Sequence, residues 1–406
     1  MGIKGFDELK AGMVLASDLV SKDGRLLFKG GTELEERHLA LLKRVGVNQA
    51  DVEAGLNELS EDTLREIEEY VREFFLYANP DSAPVIEMYR IALELTARAV
   101  AGGWELPDLD QRRATSVEHL EDIFIRGMGS PGTIVKHETE LASFPDIFFR
   151  IKEVLEDGAA SADRIAKVVS TDMSLSAKLI KLVNSPLYGF PQTIDSITRA
   201  VALVGGKELS TLALGISAIN YFKDIPPELV DMQNFWRHSI TCGIFAKMLA
   251  ATQTGLSPER FFIGGLLHDV GRLILFKKLP YASTEAMLFA RENCIPLVEA
   301  EMSVMEFCHT DISKPLLTAW KFPEGLSNMI NYHHNPMEFP NPLEPAVIHV
   351  ADNLTNAVEI AKGGMYVMPG LDQNAWNLLG LDPESALENI VNKYAEQIDI
   401  VMGAFF

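Results

Sequence analysis

The hydrophobic positions of this chain recur with helical spacing along most of its length, and only the first fifty residues differ. Met13 to Val20 and Arg25 to Phe28 have the composition of two short strands joined by a glycine-ended turn. A helix should follow, capped by Thr32 with Glu35 completing a capping box, and ended by Gly46. The apolar face expected for this helix consists of Leu34, Leu41, Leu42 and Val45.

After residue 56 the apolar spacing predicts helices and shows no sustained alternation typical of strands. The fold class is therefore mostly all-α with a small N-terminal β-hairpin/helix module. A glycine-rich linker is expected at 127–133, after a helix at 115–126. The predicted regions are a small α+β module at 1–55, a helical linker or interface region at 56–130, a helical domain at 138–360, and a helical extension at 361–406.

Length and charge narrow the classes of function. A chain of 406 residues exceeds what one hydrophobic core usually supports, so several domains are expected. Its formal net charge is -21 and no window is strongly basic, which argues against direct binding of nucleic acid. The three cysteines match no zinc spacing, and neither a signal-peptide core nor an apolar run of membrane-spanning length occurs. We expect a cytoplasmic protein without membrane association.

A His-Asp pair lies in the most apolar part of the chain. His268 and Asp269 lie within the segment Phe261–Gly271, which we expect to form one helix. This helix is apolar nearly all round, so it should be buried. A buried, ionised aspartate is costly unless it is paired or binds a cation. Glycines at 264, 265 and 271 would let other backbones approach this segment closely.

Further histidines and an aspartate also point toward apolar surroundings. The candidates are His238, His309, His333, His334 and Asp352. For any one of them, a core residue satisfied by its neighbours is the commoner explanation, and a metal role has odds of only about one in ten. Taken together they favour a metal site, because histidines and carboxylates on facing helices are how helical bundles hold metal pairs.

An ordered series of short motifs gives residues 141–222 a resemblance to the first half of an HDOD domain, the regulatory relative of the HD metal-dependent phosphohydrolases. The motifs are Phe144-Pro145, Asp172-Met173-Ser174-Leu175, Lys178-Leu179-Ile180, Asn184-Ser185-Pro186-Leu187-Tyr188-Gly189, Ile194-Asp195-Ser196-Ile197, Ala200-Val201 and Leu203-Val204-Gly205. Residues 236–352 resemble the HD-type bundle of that family. The first fifty residues resemble, more weakly, a module that precedes HD-GYP and HDOD domains, through Leu9-Lys10-Ala11-Gly12-Met13 and Gly30-Gly31-Thr32.

The resemblance implies a ligand set for one or two divalent ions such as Fe, Mn, Zn or Ni. In it His238, His268, Asp269 and Asp352 hold one metal, and Asp269 bridges to a second held by His309, His333 and His334. If the chain is enzymatic, Asp269 and Arg272 are the catalytic candidates.

Four departures from the HD-GYP pattern weigh against catalysis. Arg272 stands where those enzymes usually have lysine, and arginine can hold a phosphate but cannot donate a proton near neutral pH. No Gly-Tyr-Pro triplet follows His334, and Asn234 replaces an acidic residue that can hold a third metal. Pro315 also interrupts the segment that follows His309.

We therefore expect a regulatory protein of bacterial signal transduction, with the HDOD domain as a sensing or protein-interaction module. Regulatory proteins are the expected partners, and a nucleotide is a candidate ligand. The alternative is an active metal-dependent phosphohydrolase or phosphodiesterase acting on a nucleotide or cyclic dinucleotide. The sequence leaves the oligomeric state open.

Overall fold

The structure is a computed structural model that forms two compact units, one made of Met1–Phe74 with Tyr89–Leu109 and one of Phe75–Met88 with Asp110–Phe406. It describes residues 2–405 apart from 7–8, 12, 14, 16, 22–24, 33, 53–58, 108–145, 158–160, 223–224, 226–228, 321, 362–366 and 396. The helix expected at 115–126 and the linker expected at 127–133 lie outside the described residues.

The first unit contains two antiparallel strand pairs. Strand β2 (Leu19–Val20) pairs with β3 (Leu26–Phe28), which confirms the hairpin, although its first strand is shorter than expected. Strand β1 (Gly2–Gly5) pairs with β4 (Gln49–Val52), which the sequence did not predict. Strands β1 and β4 have four residues each and are too short to show a clear alternation of polar and apolar residues.

Helix α1 (Glu36–Val45) begins later than predicted. Glu35, not Thr32, is its N-cap residue, and the reciprocal capping partner is His38. Gly46 ends the helix with a φ of 73°, as expected for a residue that must adopt a left-handed conformation. Val45 is 36% exposed, so it is not part of the core face. The core of this module is formed by Leu9, Leu15, Leu19, Leu34, Leu42 and Ala50.

The remaining helices confirm the predicted class, and the strands among the described residues all lie between 2 and 52. They are α2 (Glu61–Phe74), α3 (Ala83–Ala101), α4 (Asp146–Glu156), α5 (Ala162–Val169), α6 (Met173–Val183), α7 (Ile197–Val204), α8 (Gly206–Tyr221), α9 (Met232–Ala251), α10 (Pro258–Leu267), α11 (Val270–Lys278), α12 (Pro280–Asn293), α13 (Leu297–Met305), α14 (His309–Ala319), α15 (Glu324–Asn331), α16 (Leu343–Val358), α17 (Gln373–Leu379), α18 (Pro383–Ala395) and α19 (Ile398–Phe405). A short 3₁₀ helix spans Pro336–Glu338.

Two glycines allow the helices of the second unit to meet in backbone contact. A Cβ built on Gly265 of α10 would lie 2.6 Å from the backbone nitrogen of Gly243 in α9. A Cβ on Gly271 of α11 would lie 2.0 Å from the carbonyl oxygen of His309 at the start of α14. Side chains cannot be accommodated at these contacts, so α9, α10, α11 and α14 are drawn together around one region.

Among the described residues, no single helix is long and apolar enough to cross a membrane. The segments Ile197–Val204 and Glu208–Ser217 are long and apolar enough only when they are taken together, and a bend of 119° separates them.

Motif residues between 172 and 197 stabilise the local backbone through side-chain hydrogen bonds. Asn184 accepts a hydrogen bond from the backbone of Ile194 at 2.7 Å and donates one to its carbonyl at 2.8 Å, which fixes the loop between α6 and α7. Ser196 then caps α7 by accepting from the backbone nitrogen of Arg199. These residues act on the backbone of the loop and its helix start.

We predict that Ser196→Ala lowers the free energy of unfolding by about 1 kcal/mol, the usual cost of losing a side-chain N-cap. Its content of bound metal should equal that of the wild type. Urea denaturation and elemental analysis measure the two quantities, and Ser174→Ala, at an exposed position inside α6, is the matched control. Loss of metal in the Ser196 variant would contradict a purely structural role for this loop.

Candidate metal centre

Five separate places in the second unit contribute to one cluster of histidines and carboxylates. His238 lies in α9, Asp352 in α16, and His309 is the first residue of α14. His333 and His334 follow α15, and His268 and Asp269 lie at the junction between α10 and α11. The sequence placed His268 and Asp269 inside one continuous helix, which was wrong. Pro315 lies within α14 and leaves His309, at its start, in place.

The ligand atoms of these residues approach one another within coordination range. Asp269, His309, His333 and His334 form one group whose atoms lie within 4.8 Å of each other, and His238, His268 and Asp269 form another. A third group joins His268, His333 and Asp352. All seven residues expected from the sequence therefore converge.

Backbone and carboxylate acceptors orient three of the rings. The Nδ1 atoms of His268 and His333 lie 2.7 Å from the carbonyl oxygens of Gly265 and Ile330. His309 Nδ1 lies 2.6 Å from a carboxylate oxygen of Glu301. Each acceptor requires a proton on Nδ1, so a neutral ring directs the lone pair of Nε2 into the cluster.

Three atoms at the centre of the cluster are buried and have no hydrogen-bond partner among the residues that the structure describes. They are His268 Nε2, His333 Nε2 and Asp269 Oδ1, although His309 Nε2 is only 3.2 Å from that oxygen. An unsatisfied buried polar atom costs about 1–3 kcal/mol, and more when charged. Converging lone pairs of imidazole and carboxylate suit a divalent metal ion, so these residues fit such a site.

The half of the cluster near α16 is better satisfied by the protein itself. Asp352 Oδ1 lies 3.1 Å from His238 Nε2 and accepts a hydrogen bond from Asn356 Nδ2 at 3.0 Å. His268 Nε2 lies 3.4 Å from Asp269 Oδ2 and 3.6 Å from Asp352 Oδ1.

Arg272 joins the two buried carboxylates at the other side of the cluster. Its Nη1 donates to Asp269 Oδ2 at 2.5 Å and its Nε donates to Glu301 Oε1 at 3.0 Å, while the residue is 7% exposed. The guanidinium of Arg272 therefore already binds the carboxylates of Asp269 and Glu301. This arrangement runs against the expectation that Arg272 holds a phosphate.

Two residues of the cluster were missed from the sequence. Glu301 in α13 binds His309 through both the ring and the backbone nitrogen, the latter at 3.0 Å. His349 in α16 donates from Nδ1 to the carbonyl of His333 at 2.8 Å and accepts from the backbone nitrogen of Asp372 at 2.9 Å. Glu301 gave one signal, a carboxylate on a helix with many apolar residues, but only the fold shows its partners.

Burial and the neighbouring charges shift the pKa values of the cluster, often in opposite directions. Burial would raise the pKa of Asp269, but Arg272, His268 and His309 together hold it well below its ordinary value. Burial, reinforced by His268 and His309, lowers the pKa of His333 to about 3. Burial would lower the pKa of His309, yet the carboxylate of Glu301 raises it. Protons therefore compete with a metal at His309, and metal binding should release them.

A cleft of about 650 Å³ opens beside His334. Its lining includes three carboxylates, from Glu299, Asp311 and Glu338, against one lysine, Lys314. Asp311 is partly engaged, since it accepts a hydrogen bond from the backbone of Cys308 at 3.0 Å. The charged lining residues of the cleft are thus mostly acidic and would repel a phosphate group.

The helical fold and this cluster are those expected of the HD-type class of metal-binding domains. Residues 141–336 match the family model of the HDOD domain, so this part of the chain is an HDOD domain. One curated relative, an uncharacterized protein of Treponema pallidum, is 26% identical over 213 residues. The match takes in 52% of this chain and 41% of the relative, so the chain spans well under half of that protein's length.

Solved structures show the same fold. An HDOD domain protein of unknown function from Geobacter sulfurreducens superimposes with a TM-score of 0.54 and 22% identity, over 68% of this chain and 98% of its own. A candidate phosphohydrolase from Shewanella amazonensis gives a TM-score of 0.53 and 20% identity, over 67% and 98% of the two chains. A candidate signal transduction protein from Marinobacter aquaeolei gives 0.54 and 16% identity, over 100% and 96%.

His349, which is not one of the seven ligand candidates, leads to a prediction of how stability depends on pH. Burial lowers the pKa of its ring in the folded state, despite opposing contributions from the His333 carbonyl and from Asp352 and Asp372. The unfolded chain therefore binds the proton more readily, and stability falls as pH drops below the unfolded pKa of about 6.5. A protonated ring could no longer accept from Asp372.

We expect the stability advantage of the wild type over His349→Asn to shrink between pH 7.5 and pH 5.5 by at most about 1.4 kcal/mol. Urea denaturation of both proteins at several pH values measures this difference. An advantage that stays constant or grows as the pH falls would contradict a neutral, buried His349.

Proposed function

We propose that this chain is a regulatory protein of bacterial signal transduction, whose HDOD domain is a sensing or protein-interaction module that binds a divalent metal. The metal site is proposed because His268 Nε2, His333 Nε2 and Asp269 Oδ1 are buried and have no hydrogen-bond partner among the described residues. Iron, manganese, zinc and nickel all accept imidazole and carboxylate ligands, so the donor set alone does not choose among them.

The seven ligand candidates come from segments that are far apart in sequence; His238 and Asp352, for example, are 114 residues apart. A metal held by ligands from distant segments would cross-link them and stabilise the folded state by mass action. When bound, it would also supply Lewis acidity and activate a water molecule.

A regulatory role is supported by the surroundings of the cluster. Arg272 is engaged by Asp269 through Nη1 and by Glu301 through Nε, so two buried carboxylates already compensate its charge. The neighbouring cleft offers Lys314 as its one lysine among three carboxylates. A phosphodiester substrate needs cationic groups to offset its charge, and the surroundings of this cluster do not provide enough of them.

Residues outside the HDOD domain would serve as input or docking regions. The β-containing module at 1–55, which has the weaker resemblance, and helices α2 and α3 are the candidates for this role. Regulatory proteins are the proposed partners. Three free cysteines are consistent with a reducing compartment, so we place the protein in the cytoplasm.

Hydrolysis of phosphoesters is the second candidate function, and one observation favours it. His334 reaches both the cluster and the cleft, with its Nε2 3.1 Å from His309 Nε2, so a ligand in the cleft would contact the metal-binding residues. In that case Asp269 would orient the reacting groups, and a nucleotide or cyclic dinucleotide is the substrate class to test.

Substitution of Asp269 tests the metal site. Asp269→Ala should abolish metal binding, and Asp269→Asn should keep the shape but lose most of the affinity, because it removes the anionic charge. Metal content by elemental analysis and melting temperature with and without chelator are the readouts. Glu344→Gln, which removes a partly exposed partner of Arg260, is the control.

The competing explanation is that Asp269 serves only to pair with Arg272. Asp269→Ala would then destabilise the protein equally with and without chelator. A wild type that is free of metal, and whose melting temperature ignores both chelator and added metal, would refute the proposed metal site.

A catalytic assay separates the two candidate functions. We expect the protein loaded with manganese or iron to hydrolyse bis-p-nitrophenyl phosphate and cyclic dinucleotides no faster than its Asp269→Ala variant. Product formation is followed by absorbance and chromatography. Turnover that is lost in the variant would replace the regulatory proposal by the enzymatic one.

A further inference from the structure

Asp269 presents its two carboxylate oxygens to different partners. Oδ2 accepts from the guanidinium of Arg272 at 2.5 Å, whereas Oδ1 faces His309 Nε2 at 3.2 Å and His333 Nε2 at 4.0 Å. A carboxylate that bridges two metal ions commonly offers one oxygen to each. Here one of the two oxygens is already bound to a cationic side chain.

The position of Arg272 is itself fixed. Its Nε donates to Glu301 Oε1 at 3.0 Å, and Glu301 in turn holds the ring of His309 at 2.6 Å. Movement of the guanidinium away from Asp269 would leave Glu301 without its buried cation. Arginine also keeps its charge at any pH relevant to a protein, so it cannot yield its place by losing a proton.

The charges of the cluster balance with one divalent ion. Asp269, Glu301 and Asp352 are buried carboxylates and Arg272 is the buried cation among them, each no more than 7% exposed. With neutral histidines, as metal ligation requires, the net charge is minus two. One divalent ion neutralises it, and a second would leave two uncompensated positive charges in a buried site.

The number of converging ligand atoms indicates which side holds that ion. Asp269, His309, His333 and His334 form a group of four, the usual number of ligands for a zinc-like ion, whereas each of the other groups contains three. Within the group of four, Asp269 Oδ1 and His333 Nε2 have no hydrogen-bond partner among the described residues. On the other side, Asp352 Oδ1 already receives a hydrogen bond from Asn356, and His238 Nε2 lies 3.1 Å from it. His268 Nε2 is the one atom of that side without a partner.

We infer that the guanidinium of Arg272 replaces one of two metal ions, so that the cluster binds a single divalent cation at Asp269 Oδ1, His309, His333 and His334. This inference rests on the proposed metal site and specifies its stoichiometry and position. Glu301 is a positioning residue for both Arg272 and His309.

The test is titration of the metal-stripped full chain with Mn²⁺, followed by elemental analysis and electron paramagnetic resonance. We expect one tightly bound ion per chain and the six-line spectrum of isolated Mn²⁺. His334→Ala should weaken binding at least tenfold, whereas His238→Ala should keep one ion with affinity within about threefold of the wild type. Arg272→Gln should raise the capacity to two ions per chain.

Arg260→Gln is the matched control for Arg272→Gln, because Arg260 also pairs with a glutamate, Glu344 at 3.3 Å, outside the cluster. It should keep a stoichiometry of one. If Arg272→Gln does not fold, the wild-type spectrum and the two histidine variants still decide the matter.

Two exchange-coupled ions in the wild type would overturn this inference and leave the proposed metal site intact. A single ion that is lost in His238→Ala but retained in His334→Ala would overturn its position. Failure of the wild type to bind any Mn²⁺, Fe²⁺, Zn²⁺ or Ni²⁺ would refute the proposed metal site and this inference together.

Discussion

The burial of the Asp269 carboxylate is the constraint on which the second unit depends. An ionised aspartate with 3% exposure is tolerated only where positive charge or hydrogen-bond donors surround it. The chain supplies Arg272 on one side and ring nitrogens of three histidines on the other. To bring these groups to one point, α10 and α11 must break at Asp269, and α14 must begin beside that break.

Backbone contacts make this convergence possible. Gly271 lets the start of α14 come so close to α11 that a Cβ at this position would overlap the His309 carbonyl. Gly265 allows an equally close contact between α10 and α9. The rings are then held by acceptors on their outer sides, such as the Gly265 carbonyl for His268. Their orientation is fixed before any cation arrives, which lowers the ordering cost of binding.

Periodicity predicted the helices and the inward-pointing histidines, because both follow from which residues must avoid water. It could not predict contacts made by single residues across the fold. Glu301 and the Arg272 pairing depend on how α13 meets α11 and α14, and no spacing rule encodes that meeting. The start of α1 was misplaced because Thr32 and Glu35 satisfy the capping pattern, while the reciprocal bonds run from Glu35 to His38. The β1–β4 pair was missed because it joins short segments more than forty residues apart.

The two halves of the HDOD region also meet through a contact between α9 and the motif loop. Lys247 of α9 lies 3.9 Å from the centre of the Tyr188 ring and donates to the Leu187 carbonyl at 2.9 Å. Tyr188 belongs to the motif loop after α6, and α9 also carries His238, about two and a half turns before Lys247. A shift of α9 must therefore move either the loop or the His238–Asp352 pair. The contact therefore links the position of the motif loop to that of the histidine cluster through α9.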